Sequence, residues 1–81
     1  MRATVLVRPK PGILDPQGDA VQRSLRELGF AVEAASVGRL IDLDLPAASG
    51  VEARASLRLM CEQLLANRLI ESYEIALEDG T

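Results

Sequence analysis

The sequence contains no histidine and no tryptophan, and it has one cysteine, one tyrosine and one phenylalanine among 81 residues. Without histidine, the chain cannot assemble the Cys–His or Ser–His–Asp groups of nucleophilic catalysis. With Cys61 as the single thiol, neither a disulfide nor a Cys/His metal cage is expected. The sequence therefore predicts no catalytic, cofactor-binding or metal-binding residues in this chain, and a reducing compartment.

A basic face is also missing, since nine basic and twelve acidic residues give a net charge of −3. Nucleic-acid-binding proteins usually combine a basic surface with stacking aromatics. No apolar run approaches the roughly 18 residues of a membrane span, and the N-terminus lacks the pattern of a signal peptide. We therefore expect a cytoplasmic protein whose partners include neither nucleic acid nor a membrane.

Aliphatic residues dominate what is present, because hydrophobic residues make up 48% of the chain and aromatic residues 2%. The core must be built from Leu, Val, Ile and Ala. A single domain over residues 1–81 of this size buries only about 60% of its unfolded surface. A thin core with an aliphatic-rich surface favours an oligomer.

The first half of the chain predicts a strand, a helix and a long strand. The run at 3–7 is rich in β-branched residues, and the prolines and glycine at 9–12 are expected to end it. Asp15 is a good N-cap for a helix over Pro16 to Leu28, which Gly29 ends in a left-handed conformation. The residues expected on the buried face of this helix are Ala20, Val21, Ser24, Leu25 and Leu28.

The segment from Phe30 to Leu45 contains no proline and reads as one extended strand. Its apolar residues occupy even positions near Val32 and odd positions from Ile41 onward. Because side chains alternate faces along a strand, this change needs a bulge, a bend or a turn, and Gly38 is the expected place. A bend within one long strand is favoured over a hairpin.

The second half predicts a helix and a last strand. Ser49 and Glu52 form a capping box after a loop at 46–50, and Asn67 is the expected C-cap. The buried stripe of this helix comprises Ala53, Leu57, Met60, Cys61, Leu64 and Leu65, with Arg58 and Glu62 paired outside. The strand from Glu71 to Glu78 alternates cleanly. The fold class is α+β, a β-α-β-α-β chain with a mainly antiparallel sheet, two helices on one face and a long bent middle strand.

Several residues with chemical potential have ordinary structural explanations. Buried packing is expected for Cys61, and a solvated strand face for Asp42 and Asp44 rather than a cation site. The basic residues Arg2, Arg8 and Lys10 indicate a solvated rim more than an anion site. The glycines around 12–18 lack the spacing of a phosphate-binding loop. Helix capping is the first explanation for Asn67, and a bulge beside a surface charge for Gly38 and Arg39.

Five runs cover nearly the whole chain: GILDPQG at 12–18, LRELGF at 25–30, VGRLIDL at 37–43, CEQLLAN at 61–67 and IESYEI at 70–75. Together, and in this order, they resemble the PurS family, the small subunit of phosphoribosylformylglycinamidine (FGAM) synthase. The departures are Arg39 where the family usually has Lys, Leu40 where an aromatic residue is common, and Arg68 where proline is usual.

The resemblance implies a PurS-like fold and a non-catalytic dimer, with a tetramer as a further option, that bridges a PurQ glutaminase and a PurL synthetase. The complex converts formylglycinamide ribonucleotide to formylglycinamidine ribonucleotide in purine biosynthesis. It uses ATP, Mg²⁺ and ammonia from glutamine, and the small subunit supports ammonia transfer. Gly38, Arg39, Asn67 and Arg68 are the residues expected at partner or dimer contacts.

The main alternative is a regulatory ligand-binding domain of the ACT type. That fold would require Gly38 to be a hairpin turn, with four strands in a ferredoxin-like order and a ligand at the dimer interface. A stand-alone small enzyme is disfavoured because no acid–base residues converge in the sequence.

Overall fold

The computed structural model describes residues 1–46 and 49–78. Its elements are β1 (Arg2–Pro9), α1 (Pro16–Glu27), β2 (Arg39–Asp44), α2 (Gly50–Met60) with a π-helical turn at Cys61–Leu65, and β3 (Glu71–Leu77). This order confirms the α+β class and the β-α-β-α-β succession. Residues 47 and 48 of the expected loop at 46–50 lie outside the described residues.

The three strands form one antiparallel sheet in the order β2-β1-β3. β1 extends past the predicted end at Val7 and includes Pro9. The amide of Lys10 donates to the carbonyl of Ile70 beside β3, so position 9 faces the β2 side. Because β2 pairs no further than Arg39 opposite Val7, the missing N–H of Pro9 breaks no ladder bond.

The core lies between β1 and α2. Its buried residues are Ala3, Val5 and Val7 of β1, Ala53 and Leu57 of α2, Cys61 of the π turn, and Ala66. Half-buried side chains from β2 and β3 flank them, namely Ile41, Leu43, Tyr73, Ile75 and Leu77. The alternation predicted for β3 is therefore confirmed, and so is the buried position of Cys61.

The start and end of α1 agree with the sequence, whereas its packing does not. Asp15 caps the helix by accepting from the Gly18 amide at 3.0 Å, and Gly29 has a φ of 97°. The apolar face was expected to be buried, but Val21 is 42% exposed and Leu28 73% exposed. No residue of α1 belongs to the described core, so only α2 covers the sheet and the expectation of two helices on one face is corrected.

The long middle strand is also shorter than predicted, because only Arg39–Asp44 joins the sheet. The preceding residues run back along α1 instead. The side chain of Gln22 donates to the Glu33 carbonyl at 2.6 Å, and Arg26 donates to the Val32 carbonyl at 2.7 Å. Residues 15–38, called the arm below, thus form a helix with an extended segment beside it.

The change of phase occurs before Gly38. The backbone bends at Glu33, and the half-buried positions from Ala35 through Val37 to Leu45 keep to one odd series apart from Arg39. Gly38 has a different role, since a Cβ there would collide with the Val7 carbonyl oxygen. The described chain has three strands and no hairpin at Gly38. An ACT-type domain would require four strands and a hairpin there.

The C-terminal part of the second helix is wider than an α-helix. The Ala66 amide donates to the Cys61 carbonyl at 3.1 Å, five residues back, which defines the π turn. The extra residue turns Leu64 out of the predicted stripe, and it is exposed. Ala66, not Asn67, is the C-cap. The expected Arg58–Glu62 pair is replaced by Arg68–Glu62 at 3.3 Å.

The described molecule is elongated, with extents of 49 × 26 × 14 Å. None of its described helices has the length and hydropathy required to cross a bilayer. A flat sheet with one covering helix and a projecting arm leaves the predicted site residues together at one end.

Candidate functional site

The site is built around two oppositely charged residues at the starts of neighbouring strands. Arg39 begins β2 and Glu71 begins β3, on either side of β1. Both continue the rows of side chains that face α2, with Ile41 next in one row and Tyr73 in the other. Inward-facing charges are costly unless they are paired.

Arg39 and Glu71 satisfy each other in a two-pronged ion pair. Arg39 Nη1 lies 2.8 Å from Glu71 Oε2, and Nη2 lies 3.0 Å from Oε1. Nη2 also donates to the Leu65 carbonyl at 2.7 Å, at the end of the π turn. This fork suits a guanidinium better than an ammonium. Arg39 therefore joins β2, β3 and the end of the second helix.

The electrostatics follow from this geometry. Hydrogen bonding to Arg39, and then to the Asn67 amide, lowers the pKa of Glu71 below its ordinary value of 4.5. The Glu71 carboxylate in turn raises the pKa of Arg39. Both groups are ionised at neutral pH, and their shifted pKa values make Glu71 a weak general base and Arg39 a weak general acid.

The loop after the π turn is held by the same carboxylate. The Asn67 amide donates to Glu71 Oε1 at 2.7 Å, and the Asn67 side-chain oxygen accepts from the Leu69 amide at 3.1 Å. The Asn67 carbonyl accepts from the amides of Ile70 and Glu71. Asn67 thus acts as a turn residue that fixes residues 66–71 in one conformation.

Arg68 and Gly38 lie at the same end of the molecule. The Arg68 carbonyl accepts from Lys10 Nζ at 2.7 Å, which ties the loop to the turn after β1. Its side chain reaches Glu62 and stays largely exposed. Gly38 sits directly before Arg39 and against the Val7 backbone. The structure therefore brings the four predicted residues to one surface, called the strand-start end below.

A cleft of about 530 Å³ opens beside this surface. The turn at 13–17, residues 37–39 and residues 70–71 line it. Its charged groups are already engaged, because Asp15 accepts from the Gly18 and Val37 amides while Arg39 binds Glu71. These hydrogen bonds lower the pKa of Asp15. The cleft offers a shaped contact surface with no reactive group.

Among the remaining candidates, Cys61, Asp42 and Arg8 have structural roles. Burial, assisted by Glu62, raises the pKa of the Cys61 thiol, which is unfavourable for a nucleophile. Thr4 donates to Asp42 at 2.7 Å, and Arg8 pairs with Glu74 at 2.8 Å. Within residues 1–46 and 49–78, no three His, Cys, Asp or Glu side chains are grouped to hold a metal ion.

The sequence interpretation missed Glu71 as a site residue. A signal was present, because Glu71 and Arg39 carry opposite charges at positions where the alternation predicts apolar side chains. Exposed Leu64 and Leu69, on either side of the Asn67 loop, were also missed. The π turn that exposes Leu64 has no local sequence signature.

Comparison with known proteins assigns the chain to a family. The family model described as PurS, phosphoribosylformylglycinamidine (FGAM) synthase, matches residues 2–79. The FGAM synthase subunit PurS of Synechocystis sp. is 43% identical over 70 residues, which cover 85% of this chain and 70% of that one.

Solved structures agree over nearly the full length. Bacillus subtilis PurS has a TM-score of 0.84 at 34% identity, covering 96% of this chain and 98% of that chain. A chain of the structure of PurLQS from Thermotoga maritima has a TM-score of 0.85 at 30% identity, with 93% of both chains covered. Sequence and fold together show that the chain belongs to the PurS family, the family of the PurS subunit of FGAM synthase.

Proposed function

We propose that this chain is the small, non-catalytic subunit of an FGAM synthase complex in de novo purine biosynthesis. The observation that carries the proposal is the likeness to the chain in PurLQS from Thermotoga maritima, at a TM-score of 0.85 over 93% of both chains. The complex would be a glutamine-dependent, ATP-hydrolysing ligase. It would convert formylglycinamide ribonucleotide to formylglycinamidine ribonucleotide in the cytoplasm.

The chemistry of the chain supports a non-catalytic role. Glutamine hydrolysis by a Cys–His pair needs a histidine, and the sequence has none. Its one thiol, Cys61, is fully buried. The glutaminase reaction would therefore belong to a PurQ subunit, and ATP with Mg²⁺ to a PurL subunit. This chain would act as a homodimer that bridges them.

The strand-start end is the proposed partner surface. Glu71, paired with Arg39, holds the Asn67 amide, and Lys10 holds the Arg68 carbonyl, so this surface is ordered before any partner binds. A surface that needs little ordering on binding loses less conformational entropy. The exposed Leu69 beside the largely exposed Arg68 offers an apolar anchor next to a cation, a common composition of interface centres.

The contribution to catalysis would be positional. Ammonia released into water at neutral pH is mostly protonated and no longer a nucleophile, so transfer requires an enclosed and oriented route. A rigid dimer between a glutaminase and a synthetase would keep the two active sites in register. Its effect should then be seen with glutamine as the nitrogen source and not with added ammonia.

Reconstitution tests this role directly. A PurQ-type glutaminase and a PurL-type synthetase are combined with and without this chain, and FGAM formation is measured with glutamine and, separately, with ammonium salt. We expect omission to abolish glutamine-dependent turnover and to leave ammonia-dependent turnover within about twofold. Unchanged glutamine-dependent turnover would refute the proposed function.

Substitutions then test the surface. Arg39→Ala and Arg68→Glu are expected to lower glutamine-dependent turnover about tenfold at limiting chain, since each removes a charge from the strand-start end, and added excess should restore it in part. The matched control is Arg54→Glu on the exposed side of α2, which should behave like the wild type. Equal titration curves for all four proteins would rule out this surface as a partner contact.

A further inference from the structure

Two leucines on either side of the Asn67 loop are almost fully exposed. Leu64 belongs to the apolar stripe predicted for the second helix, but the extra residue of the π turn rotates it outward, and it is 83% exposed. Leu69, two residues after Asn67, is 85% exposed. π turns are rare and occur frequently at functional sites. The widened turn therefore presents an apolar side chain at the surface instead of the core.

The backbone that carries both leucines is held by hydrogen bonds. The Arg39 guanidinium binds the Leu65 carbonyl at 2.7 Å, directly after Leu64. On the other side of the loop, the Leu69 amide donates to the side chain of Asn67 at 3.1 Å. Apolar side chains that protrude from an ordered backbone lose less conformational entropy on binding than those of a mobile loop.

Arg68 and Lys10 give the same surface an excess of positive charge. Arg68 lies between the leucines in the sequence, and Lys10 Nζ binds its carbonyl at 2.7 Å; these four residues are called the leucine patch below. The arginines at the strand-start end are matched by glutamates, in the pairs Arg8–Glu74, Arg39–Glu71 and Arg68–Glu62. Lys10, the only lysine of the sequence, forms no ion pair with a described residue. The patch is therefore apolar with one unmatched cation, although the whole chain has a net charge of −3.

This composition disfavours a second copy of the chain as the occupant of the patch. A two-fold contact between identical patches would bring the two Lys10 side chains together, and like charges at an interface are unfavourable. An apolar groove edged by carboxylates would instead cover the leucines and supply the missing counter-ion. Its apolar centre and polar rim would follow the usual anatomy of a protein interface.

We propose that the leucine patch docks on the glutaminase subunit, in an apolar groove whose rim supplies a carboxylate to Lys10. This inference rests on the proposed function and specifies which partner the patch binds. In that function the chain supports the reaction with glutamine and is dispensable with added ammonia. Its decisive contact is then with the subunit that releases ammonia, and a patch ordered before binding positions that subunit without rearrangement of the chain.

The single lysine allows the partner to be identified chemically. A carbodiimide joins a lysine amine to a carboxylate in contact with it, and the reagent takes up the water that is lost. The chain is mixed with a PurQ-type glutaminase and a PurL-type synthetase, treated and digested, and peptides linked through Lys10 are identified by mass spectrometry. We expect Lys10 to be linked to an aspartate or glutamate of the glutaminase. Lys10→Arg keeps the charge without a coupling amine, so this control should lose the link.

Substitution of the leucines tests the apolar part of the patch. Leu64→Ser and Leu69→Ser should each lower the yield of the Lys10 link about fivefold and raise the half-activating chain concentration about tenfold, with maximal glutamine-dependent turnover within about twofold. Leu59→Ser, at an exposed leucine of α2, is the control and should change neither quantity. Leu69→Met keeps an apolar side chain of similar volume and should restore the link. Because Leu64 and Leu69 are exposed, urea unfolding of these variants should match that of the wild type.

Several outcomes overturn the docking site. A Lys10 link to the synthetase or to a second copy of this chain would contradict it, as would the absence of any link through Lys10. Equal results for Leu64→Ser, Leu69→Ser and Leu59→Ser would do the same. A Lys10–glutaminase link in a mixture whose turnover does not depend on the chain would refute the proposed function alone. Turnover that requires the chain, with Lys10 linked elsewhere, would refute the docking site alone.

Discussion

The two helices make an informative pair, because both have a side-chain N-cap and an apolar stripe while their surroundings differ. Each has an N-cap that accepts from an amide three residues on, Asp15 for α1 and Ser49 for α2. Each also has an apolar stripe. Yet Leu57 of α2 is fully buried and Leu28 of α1 is mostly exposed.

The difference shows what amphipathicity does and does not specify. A stripe at helical spacing determines which side chains share a face. It does not determine whether the covering surface belongs to the same chain. In α2 the cover is the β1 face, and the resulting core stabilises the monomer. In α1 the cover is missing from the single chain, so its apolar residues should stabilise an assembly instead.

Truncation of one leucine in each helix should separate these roles, with the largest effect at the core. Leu57→Ala leaves a cavity among Val5, Val7 and Cys61, and we expect it to lower the free energy of unfolding by about 3 kcal/mol at every protein concentration. Leu28→Ala should instead weaken the dependence of the unfolding midpoint on concentration. Urea unfolding at two concentrations tenfold apart measures both.

The distinction between the two helices would be wrong if Leu28→Ala lowered the free energy of unfolding as much as Leu57→Ala at both protein concentrations. That result would place Leu28 in a core formed within one chain. Leu59→Ala, an exposed position on α2, is the control for loss of a surface leucine and should change neither quantity measurably.

The two ion pairs of the sheet provide a second comparison, in which the expected loss of stability is smaller than that of Leu57→Ala. Arg39–Glu71 and Arg8–Glu74 both have a shortest distance of 2.8 Å, but the Glu71 side chain is 16% exposed and the Glu74 side chain 66%. Glu71→Gln removes a carboxylate that also holds the Asn67 amide, and should cost about 1–2 kcal/mol at pH 7. Glu74→Gln should cost less than about 0.5 kcal/mol.

The pH dependence has a definite sign. Since the folded chain lowers the pKa of Glu71 below 4.5, the ionised carboxylate stabilises the fold above that value. The contribution is lost as the pH falls through the lower, folded pKa. The gap between wild type and Glu71→Gln, measured by urea unfolding, should therefore narrow below pH 4.5. A gap that stays constant down to acid pH would contradict the assigned role of the ion pair.

The parts of the fold that sequence reasoning predicted are those set by local rules. Asp15, Gly29 and Ser49 act where capping chemistry places them, because each satisfies or turns backbone groups within a few residues. The alternation of Tyr73, Ile75 and Leu77 was likewise sufficient to place β3 with one face on the core. These signals do not depend on the rest of the chain.

The errors arose where a distant segment competed for the same residues. The segment before Gly38 reads as strand, yet Gln22 and Arg26 of α1 bind its carbonyls and keep it off the sheet. The Arg39–Glu71 pair could not be assigned, because it requires knowing that β2 and β3 both flank β1. The resemblance to a family predicted Gly38, Arg39, Asn67 and Arg68 as contact residues. Only the structure shows that they lie at the same end of the molecule.

The smallest predicted effect concerns Asp15, which lies where the arm joins the sheet. Asp15 joins the start of α1 to the Val37 amide through separate carboxylate oxygens, at 3.0 Å from the Gly18 amide and 2.9 Å from Val37. Asp15→Ala removes both bonds and should lower Tm by roughly 5 °C. Amide hydrogen exchange should speed up at Gly18 and Val37 while Val5 stays protected. Asp19→Ala, one turn into the helix, keeps both bonds and is the control. If exchange at Val5 accelerated with that at Val37, the arm and the sheet would unfold as one unit, and the division of the molecule into an independent arm and core would be wrong.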